Sequence, residues 1–218
     1  MRILGIDPGT RIAGYGIVDL AMDGRARGIA AGVWRFDAEL PLAARLAALS
    51  VELARVIELY HPQTVCVEQA FVAQNIRSAL FLGHARGVVL ANCHQAGLGV
   101  FELAPTAVKK AVLAHGRSSK EEIARALSSI LGISFENLPH DASDALGIAY
   151  AHALREKIAR AQGTSVNAMV ESERKAAQAQ RRRGGSRWAT VEQPARAGRK
   201  QKHGFEQFIA ASTNKKSF

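Results

Sequence analysis

Ile3-Leu4-Gly5-Ile6-Asp7-Pro8-Gly9-Thr10 is the stretch on which the reading of this chain turns. A short apolar run closed by Asp-Pro-Gly-Thr is a strand entering a tight turn, with an acid at the strand's C-terminal end. An acid placed there carries a desolvation cost that a nearby cation can offset. The glycines let the backbone turn sharply beside the acid, and let a phosphate or metal approach without a Cβ in the way. Val65-Cys66-Val67-Glu68 repeats the pattern: the run is short, β-branched and lacks polar alternation, as in a strand covered on both faces. Asp141 and Asp144, one helical turn apart, add a third and a fourth carboxylate. Taken singly, each acid is as readily an N-cap or turn residue. Together they form an oxygen-only donor set, which suits Mg²⁺ or Mn²⁺ better than zinc.

Outward from these anchors, Ile12 to Val18 and Ile29 to Phe36 read as two further strands split by a turn-rich segment. Leu42, Leu46, Leu49, Leu53, Val56 and Ile57 recur at spacings of four and three, which predicts an amphipathic helix ending at His61-Pro62. A helix follows over 75–95, then a strand at Val100 to Leu103. Ser118-Ser119-Lys120-Glu121-Glu122 offers a capping box for a helix ending near Leu131-Gly132, and 141–160 reads as a further helix. Three antiparallel-looking strands, then strands alternating with helices, predict an α/β mixed sheet flanked by helices.

The 218 residues allow one domain of ordinary size with a remainder. Charge divides the chain in the same way. Residues 1–160 hold 17 Lys and Arg against 15 Asp and Glu, a balance of +2, whereas residues 161–218 hold 12 against 4, a balance of +8. The high isoelectric point therefore belongs to the C-terminal part and says little about the folded body. Beyond Gly163 apolar periodicity fails, so 161–218 is expected to be a disordered basic tail with at most a short helix between Asn167 and Gln180. Cys66 and Cys93 are too few for a disulfide framework or a zinc site, and Cys66 reads as a small core residue. A reducing, cytoplasmic setting fits. A strand pattern at the very start and the lack of a long apolar run disfavour secretion and membrane insertion.

Gly5 to Thr10, Glu68-Gln69-Ala70-Phe71, Ser78-Ala79-Leu80 with Gly83-His84-Ala85-Arg86-Gly87, and Asp141-Ala142-Ser143-Asp144-Ala145-Leu146 occur in a specific order and spacing. In these segments the chain resembles the RuvC family of bacterial Holliday-junction resolvases, over about residues 1–158. The resemblance implies a ribonuclease-H-like fold and a homodimer. It also implies Mg²⁺-dependent nicking of two opposed strands of a four-way DNA junction in recombination and repair. Two Mg²⁺ per subunit, replaceable by Mn²⁺, and a RuvA-RuvB branch-migration partner follow from the same likeness. Carried over by position, Asp7, Glu68, Asp141 and Asp144 match the family's acidic quartet. Its aromatic beside the glutamate falls on Phe71, and its DNA-contacting lysines fall on Lys109 and Lys120. The tail has no counterpart in the family's core pattern.

Residue by residue, blander readings stay open. Phe71 could stack on an unpaired base, a contact worth roughly 1–3 kcal/mol, or fill a core. The lysines could grip phosphates or simply be solvated. Ala79, Gly83, Gly87 and Ala91 recur every four residues, forming a smooth ridge for a second subunit or for the chain's own sheet. His140 and His152 read as structural or as supports behind the acidic pair, not as ligands. Two competing functions share parts of the pattern: a ribosomal-RNA-processing nuclease of the same fold, and a non-catalytic nucleic-acid-binding module. An actin-like ATPase would need a second lobe, for which this chain is too short.

Overall fold

The computed structural model describes residues 1–69, 76–112, 119–135 and 138–184. Strands β1 (Arg2–Asp7), β2 (Ile12–Leu20) and β3 (Ala26–Arg35) form an antiparallel meander. Helix α1 (Leu42–Tyr60) then crosses to β4 (Thr64–Glu68), which pairs parallel with β1, and helix α2 (Ile76–Gln95) crosses to β5 (Gly99–Leu103), parallel with β4. The five strands lie in the order β3-β2-β1-β4-β5, the mixed sheet expected from the sequence. Helices α3 (Pro105–Val112), α4 (Lys120–Leu131), α5 (His140–Ala161) and α6 (Val166–Gly184) complete the chain order.

The central strands are buried on both faces, which explains their unbroken apolar character. On one face Leu4, Ile6, Ile17, Val65 and Val67 pack with Leu49 and Leu53 of α1 and Val89 of α2. On the other, Ile3, Val18 and Leu20 pack with Leu146, Ala149 and Ala153 of α5 and with Leu127 and Leu131 of α4. Cys66 belongs to this second face, beside Ile148 and Ala151 of α5. Burial pushes its thiol up to about 12, so it is a core side chain and not a nucleophile.

Ser119 is the residue that caps α4. Its hydroxyl accepts from the Glu122 amide while the Glu122 carboxylate accepts from the Ser119 amide, and Gly132 ends the helix in the left-handed region at φ 64°. Sequence periodicity assigns no element between Leu103 and Ser118, yet α3 occupies Pro105–Val112. Its start is the one place in a helix where proline is favoured, because the first-turn amide has no partner to lose. The segment expected to hold at most a short helix forms the longer α6, whose first turn is capped by the Ser165 hydroxyl accepting from the Ala168 amide at 3.2 Å. Met1–Glu171 forms one compact unit. No helix among the described residues is long and apolar enough to cross a membrane.

Candidate active site

Asp7 and Glu68 end adjacent parallel strands. Ile6 pairs with Val67, so the next residue of each strand is an acid. Side chains alternate along a strand, and Gly5 and Cys66, two residues earlier, both face α5. Asp7 and Glu68 therefore project from the α5 face at one end of the sheet, where both are half-buried. Glu68 is followed by Gln69, whose amide donates to the Leu103 carbonyl at 2.8 Å and so carries the β4–β5 pairing past the acid.

Glycine brings the other two acids to the same end. Asp7 pairs with Gly14 across the β1–β2 ladder. A Cβ on Gly14 would lie 2.0 Å from the Asp141 carbonyl oxygen, and one on Gly5 would lie 2.1 Å from that of Ala145. The first turns of α5 thus rest directly on the backbone of β1 and β2, with Asp141 half-buried and Asp144 exposed. Asp141 lies in the first turn of α5, where the helix dipole favours negative charge. His140 opens the helix beside it, exposed, its carbonyl accepting from the Ser143 hydroxyl at 2.8 Å.

The four predicted acids therefore share one sheet end by strand pairing and helix contact. Among the described residues, however, no three His, Cys, Asp or Glu side chains lie close enough to hold one metal ion. Positions are gathered without the carboxylates being closed into a ligand shell. Lys109 and Lys120 fall on the backbones of α3 and α4. Phe71 lies outside the described residues. His152 is fully buried against the Phe101 ring, with centroids 4.4 Å apart, and Glu156 lies 3.7 Å from its Nε2. Burial, joined by the nearby Arg155, pushes this imidazole down to about 4, so it is a neutral structural group at physiological pH. Sequence reasoning passed over Arg45. It sits on the Leu49, Leu53, Val56 stripe of α1 and is 9 % exposed, and a charge at spacing four from Leu49 was the available signal.

A mixed sheet in this order, with acids at the ends of its two central parallel strands and on the helix across them, defines a ribonuclease-H-like nuclease. The sequence model of the family described as "Crossover junction endodeoxyribonuclease RuvC" matches residues 3–152. A crossover junction endodeoxyribonuclease from Myxococcus xanthus is 46 % identical over 153 residues, 70 % of this chain and 80 % of the relative. RuvC from Thermus thermophilus, solved with a Holliday junction substrate, superposes with a TM-score of 0.66 at 33 % identity, covering 70 % of this chain and 93 % of that one. A further structure of the Thermus thermophilus protein gives 0.67 at 32 % identity, covering 76 % and 98 %. The chain belongs to the RuvC family of crossover junction endodeoxyribonucleases. The ribosomal-RNA-processing and non-catalytic readings are not favoured by these matches.

Proposed function

We propose that the chain resolves four-way DNA junctions by paired symmetric nicks, and that the phosphodiester is hydrolysed at the sheet end that carries Asp7, Glu68, Asp141 and Asp144. The observation that carries this is the backbone contact of α5 on Gly14, which seats two acids of one helix beside the strand-end acids of β1 and β4. Four carboxylates at one end of a sheet would repel a DNA phosphate unless positive charge lay between them. All their donors are oxygen, which fits a hard divalent cation, Mg²⁺ or Mn²⁺, in two sites per subunit. Such ions would neutralise the phosphate and lower the pKa of a bound water. The chain's own part is to hold its donors on rigid elements. Asp7, on the central strand, is placed to serve both sites. Glu68 and Asp144 would each hold one ion, and Asp141 would complete a shell or orient the attacking water.

Phe71, Lys109 and Lys120 are the proposed DNA contacts, and residues 1–160 the nuclease domain. Residues 161–218, with their balance of +8, would add long-range attraction to a polyanion. Two opposed nicks need two sites, which favours a homodimer. Gly83, Gly87 and Ala91 are exposed on α2, and a Cβ on either glycine would meet nothing within 4 Å, so this ridge is open to a second backbone. A cytoplasmic setting and a branch-migration partner complete the reading.

Asp7→Asn tests the site. It is expected to abolish cleavage of a synthetic four-way junction in Mg²⁺ while leaving junction affinity unchanged or tighter, because it removes donor charge and no basic contact. Substantial nicking by this variant would sink the assignment.

A further inference from the structure

Arg45 places a guanidinium on the apolar side of the sheet, away from α5, on the helix face that otherwise buries Leu49, Leu53 and Val56. It is 9 % exposed, and among the described residues no carboxylate pairs with it. Its Nη1 donates to the Thr10 carbonyl at 3.2 Å. Its Nε, out of contact with solvent, has no hydrogen-bond partner among the described residues. An unpaired buried donor destabilises the fold, and a buried unpaired charge does so more. A methionine or leucine would fill the same space without either cost, so stability alone does not account for arginine here.

The acceptor is what gives the side chain a use. Thr10 lies in the short Pro8–Arg11 connection that leads from Asp7 to Ile12 and reverses the chain between β1 and β2. The connection is already tight: a Cβ on Gly9 would sit 1.9 Å from the Ile12 carbonyl oxygen. The Arg11 carbonyl accepts from the Phe36 amide at 2.8 Å, and the Thr10 carbonyl accepts from Arg45. Fixing two successive carbonyls of so short a turn leaves little freedom in the dihedrals between them, and hence little in the backbone that aims the Asp7 side chain. A site functions only when its donors are held within about 0.5 Å of the working geometry by a supporting shell.

We propose that Arg45 is a positioning residue for junction cleavage. Reaching through the core from α1, it holds the Pro8–Arg11 turn and thereby the Asp7 carboxylate, without touching DNA. This rests on the reading of Asp7 as an active-site acid.

The test compares Arg45→Met and Arg45→Lys with the unmodified full chain and with Asp7→Asn. Four quantities are measured: melting temperature, junction affinity, single-turnover cleavage in saturating Mg²⁺, and amide hydrogen exchange of Gly9 to Ile12. Arg45→Met keeps the stem volume and removes the orphaned Nε. The melting temperature should hold or rise, and junction affinity should stay within about twofold. Cleavage should fall about tenfold, the turn amides should exchange faster, and Arg45→Lys should recover part of both losses because its ammonium can still donate to Thr10. Wild-type cleavage by Arg45→Met overturns the inference. So does a loss of rate that tracks a loss of folded protein while the turn exchanges as before. If Arg45→Met fails to fold, Arg45→Leu, which also fills the space and cannot donate to Thr10, decides: wild-type exchange and rate in that variant overturn the inference. Asp7→Asn separates the two failures. Cleavage by Asp7→Asn overturns the site reading and this inference with it, whereas an inactive Asp7→Asn beside a fully active Arg45→Met overturns this inference alone.

Discussion

The two faces of the sheet are covered differently around the end that carries the acids. Toward α1 and α2 the strands present Leu4, Ile6, Ile17, Val65 and Val67, and the helices answer with Leu49, Leu53 and Val89. Toward α5 they present Gly5, Gly14 and Gly16, each of which has α5 backbone where a Cβ would stand. Side chains can shift and change rotamer, so an interdigitated aliphatic layer locates a helix only as well as its packing does. Backbone against backbone has no such slack. The acids of α5 stand where the main chain fixes the helix, while aliphatic side chains elsewhere on both faces supply burial.

Gly14→Ala breaks this comparison most severely. Its Cβ would lie 2.0 Å from the Asp141 carbonyl oxygen, so α5 must lift. The expected cost is about 3 kcal/mol or more, read as a fall in melting temperature of roughly 10 °C, with cleavage lost even at temperatures where the protein stays folded. A melting temperature close to that of the unmodified chain would mean that α5 is not seated as described.

The α5 face should also be where stability depends on pH. In the unfolded chain the His152 imidazole titrates near 6.5, and in the folded chain burial and Arg155 hold it near 4. The unfolded state therefore takes up the proton first as pH falls. Stability from this group is fully present above about pH 6.5 and is lost progressively toward pH 4, by at most ~3 kcal/mol. Chemical denaturation across that range should show the slope in the unmodified chain and a flatter profile in His152→Leu; equal slopes would assign the acid sensitivity to other groups.

Gly83→Leu should give the smallest stability effect. Space is open at Gly83 and helix propensity favours leucine by less than about 1 kcal/mol, so the melting temperature of the monomer should hold or rise slightly. Self-association, followed by analytical ultracentrifugation, should weaken. An unchanged dimer affinity would remove the ridge from the interface.

Much of this was legible in the sequence because it is local. A strand ending on an acid, a Ser-to-Glu capping box and an i,i+3 pair of aspartates are written within a few residues each, and β1, β4, α4 and α5 fall where those signals place them. What depends on distant parts of the chain was harder to see. Gly5 reads as freedom for a turn, whereas in the fold it is the floor under Ala145. Helix α3 is only eight residues long, and its opening proline reads as a break before it reads as a start. Arg45 interrupts an otherwise apolar stripe, a signal that makes sense only once the Thr10 carbonyl is known to lie above it. The ridge on α2 was equally compatible with packing inward, until the open space beside Gly83 and Gly87 turned it outward.

The buried cysteines give the experimenter a practical opening. Cys66 and Cys93 are the chain's only two, both are buried, and burial pushes both thiols up to about 12. At neutral pH almost none of either is thiolate, so maleimide or iodoacetamide should leave them alone while the protein stays folded. A single cysteine introduced on the surface, for example Leu80→Cys at a side chain 61 % exposed on α2, would then be the one labelled position. A fluorophore or spin label placed there would report directly on whether a second copy approaches that helix, with no native thiol removed first.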